Sequence, residues 1–200
     1  MKAASPAGSA NGVRVMEPCD AAPALALNLG CGPVARRGWL NCDLQDLPGV
    51  NLRCDLRRGI PLRSDCADCI AAIHVLQDLD YCAFVPALRE LRRVLKPGGM
   101  LRLALPDLDK ALHAYTNGDA RYFHVPDEHA RSLGAKLVTQ LIWYGSVRTP
   151  CNFDFVQETL AGAGFRDIRR CAFGQSPGRW AALAALDNRE RESLFVEAVK

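Results

Sequence analysis

Apolar residues fall in short runs along this chain, and the intervals between them decide what each run becomes. Leu25–Leu29 is a brief apolar run ending at Gly30 and predicts a first strand; Trp39–Asp43 and Asn51–Cys54 predict a second and a third. "ADCIAAIHV", Ala67–Val75, is longer, and its β-branched members favour a buried strand. The pattern then changes. Phe84, Leu88, Leu91 and Leu95 recur at helical spacing, with Asp80 placed to cap the start and Pro97-Gly98-Gly99 to stop the helix. "MLRLALP" follows at once as a fifth strand. Strands separated by helical or short crossover segments predict a parallel sheet covered on both faces.

Beyond Pro106 helical patterns dominate. "DLDKALHAYTNG" reads as a short helix with Asp107 as N-cap and Gly118 near its end. "PDEHARSLGAKLVTQLIWYG" predicts a longer helix with Pro126 in the first turn and acids after it. Phe153–Ala161 is a third, closed by "GAGF". "FRDIRRCAF" and "SLFVEAVK" are two further strand-like runs, and the segment between them holds loop signals with room for a helical turn. There is no internal repeat and no linker. Two hundred residues suffice for one sizeable core. The expected organisation is therefore a disordered lead-in over residues 1–20, rich in Ala, Ser, Gly and Pro, and one domain over 21–200.

Composition narrows the partners. Net charge is only +3, and the basic pairs Arg57-Arg58, Arg92-Arg93 and Arg169-Arg170 are scattered, so no nucleic-acid partner is expected. No apolar run approaches the length of a bilayer span, and "MKAASPAGSANG" lacks the apolar core of a secretory segment. Nine cysteines, an odd number, fit reduced thiols and a cytoplasmic protein. Cys66 and Cys69 form a CxxC, but no second pair follows, and His74 and Cys82 stand at the wrong intervals for zinc. His113, His124 and His129 show no repeated metal spacing, so no metal is expected.

The chemistry concentrates at three strand ends. A strand feeding Gly30-Cys31-Gly32 leaves backbone N–H groups free and lets a ligand approach without Cβ atoms in the way. Pro33, Val34 and Ala35 follow, so the GxGxxG pattern that cradles a pyrophosphate is incomplete. Asp43, closing the second strand, can accept from both hydroxyls of a ribose. Asp55 stands at the matching edge of the third, where its carboxylate can accept from an adenine amine while the Leu56 N–H donates to a ring nitrogen. A backbone cradle, a ribose acceptor and an adenine reader on one sheet edge call for an adenosine without a pyrophosphate. The incomplete glycine pattern, and the lack of a Tyr-x-x-x-Lys pair after strand 4 or 5, disfavour an NAD-dependent oxidoreductase.

From Leu25 to Asp109 the strings "LNLGCG", "GWLNCDL", "HVLQDL" and above all "RVLKPGGMLRL" resemble the class I S-adenosylmethionine-dependent methyltransferases, in the short form known as methyltransferase type 11. "FVQETLAGAGF" and the last strand follow more loosely. The resemblance implies an α/β Rossmann-like, doubly wound seven-stranded sheet of order 3-2-1-4-5-7-6. Strand 7, "SLFVEAVK", would be antiparallel. S-adenosylmethionine would be the cofactor and S-adenosylhomocysteine the product. It places Gly30, Cys31 and Gly32 under the methionine part, Asp43 on the ribose, Leu44 against the adenine, and Asp55 and Leu56 as adenine readers. His74, after strand 4, lies near the methyl group and is the candidate general base; its alternative is a structural histidine lining the sheet edge. Asn28 and Val34 depart from the pattern, which has an acid and a glycine there; Asn28 keeps a carbonyl that can accept from the cofactor. The first crossover, Gly32–Gly38, is too short for a full helix.

The shortened form resembles methyltransferases found with polysaccharide and lipopolysaccharide synthesis, and the resemblance implies a small-molecule or glycan, lipopolysaccharide-type acceptor as partner. Residues 106–150 would form a helical cap on the acceptor side, with Tyr122, Phe123, Trp143 and Tyr144 either walling its pocket or filling core. A homodimer is compatible with the sequence. The alternative function is a non-catalytic S-adenosylmethionine-binding or partner module of the same fold.

Overall fold

The structure is a computed structural model that describes residues 25–176 and 180–200. The lead-in expected over residues 1–20 lies outside the described residues. Seven strands form one sheet: β1 (Ala26–Leu29), β2 (Leu40–Asp43), β3 (Leu52–Arg53), β4 (Ala67–Ile73), β5 (Leu95–Pro106), β6 (Arg166–Cys171) and β7 (Ser193–Val199). Their order is β3-β2-β1-β4-β5-β7-β6. The pairs from β3 through β5 are parallel, and β7 runs antiparallel to both β5 and β6, as the resemblance implies.

The helices are α1 (Tyr81–Val94), α2 (Leu108–Thr116), α3 (Leu133–Ile142), α4 (Phe153–Gly162) and the single turn α5 (Ala181–Ala184). Alternation along the strands sorts side chains between the two faces. Leu27, Leu29, Ile70, Ala72, Leu101, Leu103, Leu105, Leu194 and Val196 point to one face. There they meet Phe84, Leu88 and Leu91 of α1 and Val156 and Leu160 of α4 in the main core.

The opposite face is unusual. No helix forms between β1 and β2 or between β2 and β3. A small cluster of Cys69, Ala71, Met100 and Leu183, with Trp39, Trp180 and Leu186 against it, supplies its apolar cover. Ala104 and Phe195 are buried on it as well, and beside them stand polar groups. Asn28 stands opposite Asn41 in the β1–β2 register, and Arg102 opposite Glu197 in the β5–β7 register. Arg102 is wholly buried, and its guanidinium donates to Asp187, to Glu197 and to the carbonyls of Ala172 and Gln175. A buried guanidinium persists only when every donor finds an acceptor. Here Glu197 of β7 supplies one acceptor, and Ala172, Gln175 and Asp187, in the connection between β6 and β7, supply the others.

Two local expectations are corrected. The helix stops at Val94, but Pro97-Gly98-Gly99 belongs to β5 rather than preceding it. Ala67 pairs with Leu95 and Cys69 with Met100, so β5 bulges out between the two pairs, and Gly98, at φ 74°, supplies the left-handed step. The helix predicted from Pro126 begins only at Leu133. Pro126 opens a single turn in which the N–H groups of His129 and Ala130 share its carbonyl. Ser132 then caps α3, its hydroxyl accepting from the Ala135 N–H at 3.2 Å.

Candidate active site

The turn after β1 shows how the chain manages without a first helix. Asn41 of β2 does the work of one. Its Oδ1 accepts from the Arg36 N–H at 2.8 Å and from Asn28 Nδ2 at 3.1 Å, while its Nδ2 donates to the carbonyls of Arg36 and Trp39. One buried amide thus satisfies backbone groups that helix geometry would otherwise pair. Gly30 and Gly32 take left-handed backbone, at φ 63° and 53°. At Gly30 an added Cβ would lie 2.3 Å from a Val75 methyl, so the strand end can approach β4 only as glycine. The Gly32 N–H donates to Asp43 Oδ2 at 2.8 Å, which ties the turn to the end of β2.

At the carboxyl edge of β1 to β4 lies a cavity of about 360 Å³. Of the residues singled out from the sequence, Gly30, Asp43, Leu44, Asp55, Leu56 and His74 line it. Leu44 is exposed and Leu56 buried, so the wall is apolar where it meets Leu79 and Val75. Asp43 also accepts from the Gln45 N–H, which leaves lone pairs on both oxygens for a ligand. Asp55 caps the turn after β3 by accepting from the Arg57 N–H, and Arg57 grips both of its oxygens. Those bonds hold its carboxyl below the usual range.

Asn28, Cys31 and Gly32 are not on the cavity wall. Asn28 points to the opposite face, where its Nδ2 is committed to Asn41 and to the Val34 carbonyl. Cys31 is buried behind the turn, its thiol pushed up by burial and by the neighbouring Asp43 carboxylate. Cys66 and Cys69 face opposite sides of the sheet, in separate apolar clusters. Among the described residues no group of three or more His, Cys, Asp or Glu is placed to hold a metal.

A second cavity, about 260 Å³, adjoins the first. Its walls come from the end of β4 (His74, Gln77, Asp78), the end of β5 (Pro106, Asp107), the α2–α3 layer (Ala111, Tyr122, Gln140, Trp143) and the loop before β7 (Arg189, Glu192). His74 and Asp78 line both cavities. Sequence reasoning missed Gln77, Asp78, Gln140, Arg189 and Glu192; the one signal was that Gln77-Asp78 lie in the string "HVLQDL". Asp107 caps α2 through the Asp109 N–H and also pairs with Arg170 of β6. Tyr122 lines the second cavity from within a small core of Ala111, Ala114 and Phe123, against which Leu133, Leu137 and Leu141 of α3 pack. Phe123 is therefore core. Tyr144 is off the wall, its hydroxyl against His129.

His74 has left-handed backbone at φ 56°, rare for a residue with a side chain and typical of sites where packing over-determines the conformation. Its Nε2 lies 2.9 Å from Ser193 Oγ. The serine has one hydrogen, and that hydrogen is directed at the Arg189 carbonyl, 2.7 Å away. Ser193 therefore accepts, Nε2 carries the proton, and Nδ1 is a bare lone pair. Burial, aided by the Arg189 charge, pushes the His74 pKa down to about 4, so the ring is neutral at physiological pH.

Residues 35–103, about a third of the chain, match the family model described as a methyltransferase domain. No curated protein matches the sequence. An S-adenosylmethionine-dependent methyltransferase from Mesorhizobium loti is similar at 17% identity and a TM-score of 0.55, over 89% of this chain and 91% of that one. One from Aquifex aeolicus is similar at 17% identity and a TM-score of 0.52, over 88% and 82%. Phosphoethanolamine N-methyltransferase 2 of Haemonchus contortus, solved with S-adenosylmethionine, matches at 14% identity and a TM-score of 0.50, over 88% of this chain and 48% of that one. At such identities the likeness is one of fold. Strand order and the reversed β7 give the chain the fold of these methyltransferases, and the family match places a methyltransferase-domain pattern over its first strands and α1. No helix among the described residues is long and apolar enough to cross a membrane.

Proposed function

We propose that the protein moves a methyl group from S-adenosylmethionine in the larger cavity to a small molecule, or a sugar of a glycan-type acceptor, in the smaller one. The observation that carries this reading is that the two cavities meet at His74 and Asp78. Methyl transfer needs a donor and a nucleophile side by side, and little else from the protein beyond alignment and a place for a proton. The residues of the larger cavity suit the donor: a carboxylate for a ribose diol at Asp43, apolar side chains for an adenine at Leu44 and Leu56, and a turn free of side chains at Gly30. The donor supplies an electrophilic methyl on a sulfonium. The α2–α3 layer, within residues 106–150, serves as the acceptor-side cap, since it lines the smaller cavity.

Calorimetric titration with S-adenosylmethionine and S-adenosylhomocysteine tests the donor half. A charge-assisted hydrogen bond is worth roughly 1.5–3 kcal/mol, so Asp43→Ala should weaken binding on the order of tenfold to several hundredfold. Asp43→Asn keeps one acceptor and should be milder. Asp46, exposed and off the cavity wall, is the control: Asp46→Ala should bind like the wild type. Equal affinities for wild type and Asp43→Ala would remove the adenosyl site. Turnover on an acceptor panel tests the other half.

A further inference from the structure

The smaller cavity carries chemistry that the fold does not require. Among the described residues, the buried side-chain acceptors left without a hydrogen bond are Gln77 Oε1 and His74 Nδ1, and both residues line this one cavity. Neither orientation is arbitrary. Gln77 Nε2 donates to Asp78 Oδ1 at 3.2 Å, which assigns Oε1 as the free end, and the Gln77 carbonyl is held by the N–H groups of Arg148 and Thr149. Ser193 assigns Nδ1 of His74 as a lone pair. A buried acceptor without a donor costs about 1–3 kcal/mol, so two on one wall point to a ligand that brings the donors.

The charges on the wall agree. Asp78 forms no ion pair within 4 Å among the described residues; the Arg189 and Arg148 charges act on it from farther off. Asp107 is engaged by Arg170. The one lining cation, Arg189, has Glu192 at 3.8 Å, and His74 is neutral. The cavity therefore offers a carboxylate and two neutral acceptors, but no uncommitted cation for an anionic group. A hydroxyl brings one donor; a primary amine brings two N–H groups and still keeps a lone pair, or three when protonated. Trp143 and Tyr122 add aromatic surface.

We propose that the methyl acceptor is a primary amine, its nitrogen held by Gln77 Oε1, His74 Nδ1 and the Asp78 carboxylate. This rests on the methyltransferase reading. The bound ammonium donates to all three; one of its protons passes to Asp78 or to water, the lone pair so freed forms the new N–C bond, the C–S electron pair stays on sulfur as the thioether, and the product leaves as the methylammonium. Burial raises the Asp78 carboxyl, which makes it a better resting place for that proton.

Three probes that differ only in the polar group test it: 2-phenylethylamine, 2-phenylethanol and phenylacetate, titrated by ligand-observed NMR with and without saturating S-adenosylhomocysteine. The amine should bind at least tenfold tighter than either partner. Gln77→Met keeps the volume and removes the acceptor; it should cut the amine-to-alcohol ratio about fivefold or more. Because Gln77 lines only the smaller cavity, S-adenosylhomocysteine affinity should stay within twofold. An alcohol or carboxylate that binds as well as the amine overturns the proposal. So does an unchanged ratio in Gln77→Met, or failure of all three probes in a protein that binds S-adenosylhomocysteine. An amine preference in a protein that binds no S-adenosylhomocysteine keeps the amine site and removes methyl transfer instead.

Discussion

Asn28 and Asn41 face each other in the β1–β2 register, and Asn28 Nδ2 donates to Asn41 Oδ1 at 3.1 Å. The same Nδ2 reaches the Val34 carbonyl at 3.4 Å, so position 28 must donate toward two acceptors. The family pattern has an acid here. Asn28→Asp, which restores that pattern, should therefore not improve cofactor binding. It would set a carboxylate against two oxygens in a buried site and cost on the order of 2–4 kcal/mol of stability, loosening the turn after β1. Thermal melting and S-adenosylhomocysteine titration check this. A variant that melts like the wild type and binds more tightly would show that the asparagine serves the ligand rather than the loop.

His74 makes stability pH-dependent. Its pKa is about 4 in the fold against an ordinary 6.5, so the unfolded chain takes up the proton first. The contribution is fully present above pH 6.5 and lost as pH falls toward 4; it amounts to up to about 3 kcal/mol. Asn tolerates left-handed backbone, so His74→Asn should fold and should lose less stability than the wild type between pH 7.5 and 4.5. Parallel pH profiles from the two proteins would mean the ring is not held neutral.

Ser193→Ala leaves His74 Nε2 without its acceptor and removes the contact that sets the tautomer. Turnover should fall about tenfold or more with S-adenosylhomocysteine affinity unchanged, because Ser193 lies on neither wall of the two adjoining cavities. Ser193→Thr keeps the hydroxyl and should recover part of the rate. Full activity in Ser193→Ala would leave His74 a structural histidine.

The two glycines of the first turn should respond unequally. An alanine at Gly30 meets Val75 at 2.3 Å on top of the left-handed backbone, whereas at Gly32 nothing lies within 4 Å of the new Cβ. Gly32→Ala should cost about 1–2 kcal/mol, the backbone preference alone. Gly30→Ala should cost more and weaken S-adenosylhomocysteine binding by over tenfold, since Val75 lines that cavity. Equal melting temperatures and affinities for the two variants would contradict this packing.

Asp187 receives two of the bonds from buried Arg102 and also accepts from the Gly174 N–H. Asp187→Ala leaves a buried guanidinium short of its partner and should cost about 3–5 kcal/mol in urea unfolding. A loss below about 1 kcal/mol would mean that water or Glu197 takes over.

Much of this architecture is legible in the chain itself, because it rests on local periodicity. The positions of β1 to β5, the start of α2 at Asp107 and the turn at Gly30 follow from spacing and from residues with narrow backbone preferences. So do Asp43 and Asp55 as strand-end acids on one edge. Partners distant in sequence are another matter. Asp80 stands at the start of α1, yet its carboxylate goes to Arg148 rather than to the helix N–H groups. Asn28 reads as a ligand-facing residue until Asn41 is seen opposite it. Pro97-Gly98-Gly99 reads as a stop until the pairing with β4 draws it into β5. The second cavity joins Gln77, Gln140 and Arg189, which no spacing rule connects. Periodicity records which side of an element is buried, but a hydrogen bond or a cavity wall depends on which elements meet, and only the packed sheet and its α2–α3 layer decide that.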